Sequence, residues 1–223
     1  KKRSKLKKKK IKSNHRIQIN DQISISSEYR NLKKEKEYHF DVKSKKEIDE
    51  MIIYQDDEIL ILNKPSGIAV QGGTKIKKSI DTLLRSSFKS VKTRLVHRLD
   101  KDTSGILIIA LNRQIADHMS YLFREKKIIK NYWALNVGKL KKGKGVINKR
   151  IKKKNSKTYD KALTEYNNYM IINNNLNFVI FQPITGRNHQ IRIHSKELGI
   201  PILGDKRYGN VEDSEKLHLH SRS

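Results

Sequence analysis

Short apolar runs separated by turn residues dominate the hydrophobic pattern from Met51 onward. Residues 51–54 and 59–62 are apolar and flank the polar stretch Gln-Asp-Asp, which predicts a β-hairpin. We expect the hairpin to end at residues 63–67, whose Pro and Gly favour a turn. Similar apolar runs predict further strands at residues 95–96, 106–111, 132–137, 146–151, 162–166 and 176–181.

Three segments instead carry apolar residues at helical spacing. Residues 79–88 and 113–123 place them three and four positions apart, which predicts two amphipathic helices. Residues 187–198 predict a third helix, which begins after a Thr-Gly turn and is stopped by a Gly and a Pro. Strands outnumber helices, and tight turns join several neighbours. The pattern therefore predicts an α+β fold with a mixed, mostly antiparallel central sheet and flanking helices.

The first fifty residues differ from the rest in composition. Residues 1–10 form a low-complexity basic tail that we expect to be disordered or to lie along a phosphate backbone. Residues 11–25 alternate isoleucines with polar residues and predict a short hairpin or a bent strand. Residues 26–50 are polar with few apolar anchors and are interpreted as a linker. The compact domain is therefore predicted to span residues 51–223.

Composition narrows the class of protein. Only 35% of the residues are hydrophobic, and no apolar run approaches the ~20 residues of a membrane helix, so a membrane-spanning protein is excluded. Cysteine is absent, which excludes disulfide scaffolds, thiolate catalysis and cysteine-built zinc sites. Nothing in the sequence resembles a signal peptide, so we expect a cytoplasmic protein. Lys1 is not an initiator Met, so we expect the true start of the chain to be missing.

The net charge is high and unevenly distributed. The chain has 50 Lys and Arg residues against 23 Asp and Glu residues, which gives a formal net charge of +27. Basic residues cluster in residues 1–10 and in residues 138–157, and the second cluster contains no acidic residue. Such clusters favour nucleic acid, because neutralised phosphates release counterions. An anionic membrane surface is the weaker alternative, since the basic runs lack an apolar face.

One polar loop carries the strongest candidate chemistry. Residues 97–105 separate two apolar strands and contain Asp100 and Asp102. One interpretation is an ordinary turn without a catalytic role, because Asp and Thr side chains form hydrogen bonds with backbone amides and Gly supplies a positive φ. The Asp-x-Asp spacing also suits a Mg²⁺-dependent phosphohydrolase with an aspartyl nucleophile. We set that alternative aside, because His and Arg interrupt the preceding strand and the downstream carboxylates form no acidic pair.

The same loop resembles a family signature. His-Arg-Leu-Asp-Lys-Asp-Thr-Ser-Gly at residues 97–105 resembles the His-Arg-Leu-Asp-x-x-Thr-Ser-Gly of the RluA-type pseudouridine synthases. Four further segments resemble blocks of that family in the same order. They are the Asn-Lys-Pro-x-Gly turn at residues 63–67, the Lys-x-Tyr-x-Ala strand within residues 123–138, the Thr-Gly-Arg-x-His-Gln-Ile-Arg-x-His segment within residues 183–194, and the Pro-Ile-x-Gly-Asp-x-x-Tyr-Gly segment at residues 201–209.

The resemblance implies a fold and a reaction. The fold is that of the pseudouridine synthases, with a central active-site cleft. The reaction breaks the N1–C1′ bond of a flipped-out uridine and rejoins the base through C5, with Asp100 as the nucleophile that attacks either C1′ or C6. No atoms are gained or lost and no redox change occurs, so the resemblance implies neither a metal nor an organic cofactor.

The resemblance also assigns roles to residues distant in sequence. Tyr132 is expected to lie against the base, Arg98 to fill the vacated stack or hold a phosphate, and Arg192 to approach Asp100. Trp133 follows Tyr132 in a predicted strand, so it should face the opposite side of the sheet, in the core.

Two more cations and three histidines belong to these blocks. Lys64 and Arg187 are expected to contact RNA phosphates. His97, His189 and His194 are expected in or near the site, and a zinc site built from them is not expected, because the sequence contains no His-Glu-x-x-His pattern.

The expected partner is structured RNA, specifically large-subunit ribosomal RNA, bound by a monomer. Residues 14–25 resemble the closing hairpin of an S4 RNA-binding domain. Residues 1–25 are therefore interpreted as a basic tail with the remnant of an S4-like domain, residues 26–50 as a linker, and residues 51–223 as the catalytic domain. We expect an intact S4 module to precede Lys1 and a final strand of the sheet to be missing.

A non-catalytic RNA-binding or ribosome-assembly protein on the same fold is the alternative function. The net charge supports both functions equally. The presence of Asp100, Tyr132 and Arg192 together favours the enzyme.

Overall fold

The computed structural model describes most of the chain and divides it into two compact units, residues 1–39 and residues 40–223. The described residues are 4–6, 9–11, 16–25, 39–73, 76, 78–88, 92–140, 143–153, 156–173, 175–209 and 216–223.

The first unit contains a small antiparallel sheet. Its strands are β1 (Ser4–Leu6), β2 (Lys9–Ile11) and β3 (Ile23–Ile25), in the order β2-β1-β3. The predicted strand character near Ile23 is confirmed. Of the two alternatives for residues 1–10, disorder is wrong at β1 and β2, because these strands satisfy backbone hydrogen bonds by pairing with each other, whereas the alignment along a phosphate backbone stays a prediction.

The second unit is built on one large sheet. Its described residues form nine strands in the order β4-β5-β7-β14-β8-β13-β12-β9, with β6 paired to β7. All neighbouring strands are antiparallel except β14 and β7, which are parallel. The predicted α+β class with a mixed, mostly antiparallel sheet is confirmed.

The strands of the sheet are β4 (Ile52–Gln55), β5 (Ile59–Lys64), β6 (Arg94–Leu95), β7 (Ser104–Ala110), β8 (Tyr132–Val137), β9 (Lys144–Asn148), β12 (Leu163–Asn173), β13 (Leu176–Pro183) and β14 (Leu219–Ser221). A separate two-stranded ribbon consists of β10 (Ile151–Lys152) and β11 (Tyr159–Asp160). The helices are α1 (Val42–Asp49), α2 (Ile80–Ser87), α3 (Arg113–Arg124) and α4 (Gln190–Glu197).

Local chemistry explains where the helices begin. Ser79 caps α2 in a reciprocal capping box with Thr82, and the Asn112 side chain accepts a hydrogen bond from the Ile115 amide at the start of α3. Each cap satisfies amides that the first helical turn leaves without partners. The predicted positions of α2 and α3 are confirmed, whereas the third predicted helix begins at Gln190 rather than at residue 187.

The interpretation of residues 26–50 as a linker is wrong at its C-terminal end. Residues 42–49 form α1, capped by Asp41, and Ile48 is fully buried in the same core as α2. The compact unit therefore begins near Phe40 rather than Met51. Residues 26–38 lie outside the described part of the chain.

The core of this unit consists of two clusters of buried side chains. One cluster fills the space between α1, α2 and the strands β5 and β7. The other lies beneath α4, against β8, β13 and β14. The ring of Tyr132 contacts both clusters, so the start of β8 lies where they meet.

Trp133 departs from its expected place. Its side chain faces away from Tyr132, as the alternation of a strand requires, but it is 39% exposed rather than buried in a core. Its ring lies edge-on to Phe178 and beneath the guanidinium of Arg222. Among the described residues, Trp133 therefore packs against neighbours on its own sheet and at the end of the chain.

No helix among the described residues is both long enough and apolar enough to cross a bilayer.

Candidate active site

The loop between β6 and β7 presents Asp100 at the edge of a cleft. Leu99 and Thr103 are buried on either side of it and anchor the loop, while the Asp100 carboxylate keeps about a fifth of its surface exposed (22%). Gly105 follows at φ 109°, where a Cβ atom would collide with the carbonyl oxygen of Ser221 in β14. Only glycine allows β7 and β14 to pair this closely beneath the loop.

The turn at residues 63–67 holds the loop from below. Lys64 Nζ donates to the carbonyl oxygens of Pro65, Ile68 and Lys101 at 2.8, 2.9 and 3.0 Å. The Gly67 amide donates to the same Lys101 oxygen at 2.9 Å. The backbone next to Asp100 is therefore tied to a separate strand.

This arrangement corrects the role expected for Lys64. The side chain is fully buried, and its ammonium group is engaged with three carbonyl oxygens, so it cannot contact an RNA phosphate. Burial lowers the pKa of Lys64 to about 8, although the charges of Asp102 and Asp100 oppose the shift. Lys64 is a structural clamp of the loop.

His97 supports the loop from its N-terminal side. Its ring stacks on Phe123 at 4.5 Å between centroids, and its Nε2 accepts a hydrogen bond from the Ile108 amide at 2.8 Å. Burial lowers the pKa of His97 to about 4, with Lys130 adding to the shift, so the ring is neutral at pH 7. An imidazole that accepts from an amide and packs on a phenyl ring is a structural group here.

Asp100 opens into two adjoining cavities. The smaller, of about 280 Å³, is also lined by Arg98, Tyr132, Arg187, His189 and Arg192. It lies at the small end of the range for ligand pockets, a size that suits one base. The larger, of about 1090 Å³, is open and predominantly basic.

Arg192 reaches the smaller cavity from α4 but pairs with an unexpected carboxylate. Its Nε and Nη2 donate to the two carboxylate oxygens of Asp205 at 2.8 and 2.7 Å. Both side chains are buried. Burial alone would lower the pKa of Arg192, but Asp205 outweighs it, with Asp100 contributing through its charge, and the pKa is raised. Arg192 and Asp100 therefore line the same cavity, but Arg192 forms its ion pair with Asp205 and not with Asp100.

His189 is the histidine nearest to Asp100 among the described residues. Its Nε2 lies 3.9 Å from Asp100 Oδ2, and its Nδ1 lies 3.1 Å from the hydroxyl oxygen of Tyr208. Neither His97 nor His194 lines the two cavities. His194 is fully buried and bonds Thr164 instead, which fastens α4 to β12.

The side chain of Gln190 fixes the start of α4. It donates to the carbonyl oxygen of Leu163 and to Thr164 at 2.9 and 2.8 Å, and it accepts from Thr185 and from the Arg187 amide. The helix start is thereby attached to β12, which positions both His189 and Arg192.

Tyr132 and the remaining arginines line the smaller cavity. Burial raises the pKa of Tyr132, and the charge of Asp100 adds to this, so the phenol is neutral at pH 7. Arg98 is exposed at the mouth, where both cavities meet. Arg187 is also exposed and donates from Nε to the Lys161 carbonyl oxygen at 3.1 Å, within 3.5 Å of Asp160.

The model of the RNA pseudouridylate synthase family matches residues 58–197, a segment that contains Asp100, Tyr132 and Arg192. The chain belongs to this family. The predicted membership and fold are thus confirmed, and this pseudouridine synthase is an isomerase that converts uridine in RNA to pseudouridine.

Individual relatives agree with this membership. The synthase is 38% identical over 231 residues to the ribosomal large subunit pseudouridine synthase C of Rickettsia conorii, covering 96% of this chain and 75% of that protein. It is 38% identical over 219 residues to the protein of the same name from Vibrio parahaemolyticus, covering 91% of this chain and 67% of that protein. Among solved structures, human RNA pseudouridylate synthase domain containing 4 superposes with a TM-score of 0.69 at 27% identity, covering 81% of this chain and 85% of that one.

No three His, Asp or Glu side chains of the described ranges are grouped so that they would hold a metal ion. The synthase's own side chains around the smaller cavity offer a carboxylate, a neutral phenol, a neutral imidazole and several guanidinium groups. This set can supply a nucleophile, a surface for a base, a proton acceptor and phosphate contacts.

The sequence pattern did not indicate which side chains Arg192 and His189 contact. Asp205 and Tyr208 lie in the resembling segment at residues 201–209, but nothing in that pattern shows that they meet Arg192 and His189. The sequence signal at this place is the Gly-Asp pair at residues 204–205, which is typical of a turn but does not identify the partners of the carboxylate.

Proposed function

We propose that this enzyme isomerises uridines of large-subunit ribosomal RNA, with Asp100 as the nucleophile. The names of the relatives at 38% identity support the choice of RNA. The position of Asp100 carries the proposal: among the described residues, it is the carboxylate that lines both the base-sized cavity and the open basic cleft. A nucleophile must lie where a flipped base and its ribose enter.

The proposed reaction begins when RNA docks on the basic cleft. Several Lys and Arg side chains line it in addition to the arginines of the smaller cavity, and phosphates neutralised there supply affinity. They are Lys101, Arg150, Lys152, Lys153, Lys196, Lys206, Arg207 and Lys216. Part of the basic cluster at residues 138–157 thus contributes to the proposed RNA surface.

The smaller cavity then receives one uracil. Tyr132 presents a neutral ring to the base, and stacking of this kind is worth about 1–3 kcal/mol. Arg98, exposed where the cavities meet, fills the vacated stack or holds a phosphate. Arg187 contacts a phosphate at the same rim. Base flipping costs a few kcal/mol, and these contacts offset it.

Arg192 and Asp205 form a buried ion pair in the proposed site. The guanidinium, held by two hydrogen bonds to Asp205, keeps a positive charge near Asp100. This charge attracts the Asp100 carboxylate, which attacks C1′ or C6 in the proposed reaction. Residues 1–25, as a basic tail with the remnant of an S4-like domain, add a second RNA contact in this proposal.

The test uses ribosomal RNA and a carboxylate variant. Asp100→Asn is nearly isosteric but not nucleophilic, so incubation with unmodified large-subunit RNA should yield no pseudouridine, while RNA affinity stays within a small factor. Carbodiimide treatment and primer extension map the product. Asp102→Asn is the matched control: Asp102 lies two residues away, lines the open cleft but not the smaller cavity, and the variant should remain active.

Pseudouridine formation by Asp100→Asn would overturn the assignment of the nucleophile. Modification of transfer RNA but not of ribosomal RNA by the unaltered enzyme would overturn the proposed substrate.

A further inference from the structure

His189 has a backbone conformation that ordinary residues avoid. Its φ and ψ are 54° and 26°, in the left-handed region, directly before α4. Non-glycine residues in this region are uncommon and cluster at functional sites. The side chain makes no capping hydrogen bond to α4. The left-handed backbone therefore turns the ring toward the cavities rather than toward the helix.

The ring has a neighbour at each nitrogen. Nδ1 lies 3.1 Å from the Tyr208 hydroxyl oxygen, and the two rings meet edge to face at 5.7 Å. When Nδ1–H donates to that oxygen, Nε2 carries a lone pair directed at Asp100, 3.9 Å away. That separation is longer than a hydrogen bond, so the lone pair is not engaged with the carboxylate and is available to a substrate atom in the smaller cavity that both residues line.

The surroundings keep the imidazole neutral. Burial lowers the pKa of His189, and the charge of Asp100 opposes this shift. The charged groups that face the ring come from the loop before β7, from α4 and from the segment after α4: Asp100, Arg192, Arg207 and Asp205. The two arginines lower the pKa and the two aspartates raise it. A neutral imidazole beside a carboxylate is a competent proton acceptor.

The reaction requires such an acceptor. Uridine carries a hydrogen on C5, whereas pseudouridine carries C1′ there and a hydrogen on N1. Every route, whether Asp100 attacks C1′ or C6, passes through an intermediate in which C5 bears both C1′ and its original hydrogen. That hydrogen must leave as a proton.

We propose that His189 is the catalytic base that removes the C5 proton. The proposal rests on Asp100 as the nucleophile proposed above. C1′ and C6 are both bonded to C5 in the intermediate, so C5 lies beside the Asp100 carboxylate whichever atom that carboxylate attacks. His189 lines the same cavity as the carboxylate, so its Nε2 atom is within reach of the C5–H bond of a base bound there.

The proton transfer balances without a further reactant. The C5–H bond breaks, and its electron pair forms the C5=C6 double bond. When Asp100 has attacked C1′, the intermediate contains a C6=N1 double bond, whose electron pair moves onto N1, and N1 takes a proton from water. When Asp100 has attacked C6, the C6–O bond breaks instead and its pair returns to the Asp100 carboxylate, while N1 has already taken a proton from water after the N1–C1′ bond broke. In both routes the C5 proton passes to His189 Nε2. The carboxylate of Asp100, once released from the substrate, stabilises the imidazolium, which then returns its proton to water.

The experiment separates uridine consumption from release of the C5 hydrogen. An RNA fragment that the wild-type enzyme modifies is prepared with tritium at C5 of uridine, and both events are followed in a single turnover. His189→Asn keeps a residue that tolerates the left-handed region. We expect tritium release to slow by about 10²–10⁴-fold, as for loss of a general base, while RNA affinity and the first loss of uridine change little. With deuterium at C5, product formation by the variant should show a primary isotope effect.

Two further variants sharpen the result. His189→Gly also suits the left-handed backbone, and added imidazole should restore tritium release in it, which a purely structural role would not allow. His118→Asn, on the exposed face of α3 and outside both cavities, should release tritium at the wild-type rate.

Tritium release by His189→Asn at the wild-type rate would overturn the proposal. A parallel loss of RNA binding, uridine consumption and tritium release, without rescue by imidazole, would also overturn it and assign His189 to positioning. Failure of the proposed nucleophile is distinguishable, because Asp100→Asn would then consume uridine.

Discussion

Three ionisable side chains near the site are largely removed from water. Each offsets the free-energy cost of losing its hydration in a different way. Lys64 keeps its hydrogen bonds by donating to three carbonyl oxygens. His97 stays neutral and accepts from a backbone amide. Arg192 keeps its charge and pairs it with the Asp205 carboxylate. A buried polar group without such compensation costs several kcal/mol, so each arrangement fixes its local geometry.

The neutral state of His97 predicts how stability depends on pH. Its folded pKa of about 4 lies below the ordinary 6.5, so the unfolded chain binds the proton more readily. Stability is therefore unaffected above about pH 6.5 and falls as pH decreases towards 4, by about 1.4 kcal/mol per pH unit for this one proton. Urea denaturation of the enzyme and of His97→Gln at several pH values measures how the free energy of unfolding depends on pH. The variant should show a shallower decline, and equal slopes would contradict the prediction.

At the scale of elements, the turn at residues 63–67 and the loop at residues 97–105 act as one unit. Besides the Lys64 and Gly67 bonds, Ser66 Oγ donates to the Asp102 carbonyl oxygen at 2.6 Å. The turn that follows β5 thus holds the backbone around Asp100. The sequence pattern located both segments correctly but wrongly indicated that Lys64 contacts RNA.

Lys64→Met tests this clamp. The variant leaves three carbonyl oxygens without their donor, so we expect it to lower stability by about 1–3 kcal/mol and turnover by at least tenfold, with RNA affinity unchanged. Denaturation, single-turnover rates and filter binding measure the three quantities. Lys101→Met is the matched control: its side chain is exposed on the open cleft, so it should weaken RNA binding and leave stability unchanged. A weaker affinity in Lys64→Met would mean that Lys64 binds RNA after all.

Local pattern predicted some elements better than others. α2 and α3 carry both an apolar stripe and a side-chain cap, and both were predicted. α1 was missed because Ile48 is its one buried apolar residue, so the segment looks like a linker until α2 covers it. β12 was predicted as far as residue 166 but extends to Asn173, because its second half, whose apolar side chains at residues 169–172 are exposed, is held by pairing with β13 rather than by burial.

At the scale of the whole molecule, the positive charge gathers on the cleft beside Asp100. The cluster at residues 138–157 was identified in the sequence, whereas Lys196, Lys206 and Arg207 join it only through the fold. Backbone phosphates are expected to follow this surface, so affinity should depend on salt.

Replacing Lys152, Lys153 and Lys206 by Gln tests this surface. We expect weaker RNA binding and a log–log salt slope that is smaller by about 0.7–0.9 for each phosphate that the variant no longer neutralises. Binding titrations at several salt concentrations measure the slope. A triple variant with Lys43, Lys46 and Lys92 replaced by Gln, three exposed positions outside both cavities, is the control for net charge. A slope that changes equally in both variants would mean that the cleft is not the RNA surface.

The sequence by itself determined the local features: the hairpin of β4 and β5, the capped helices, the loop that carries Asp100 and the basic composition. Each of these depends on residues a few positions apart, whose spacing and hydrogen-bonding groups act over one turn or one strand. Tertiary structure alone decided which distant groups meet. It paired Arg192 with Asp205, set His189 opposite Asp100 and enclosed Lys64, because these contacts depend on the order of strands in the sheet and on the attachment of α4 to β12.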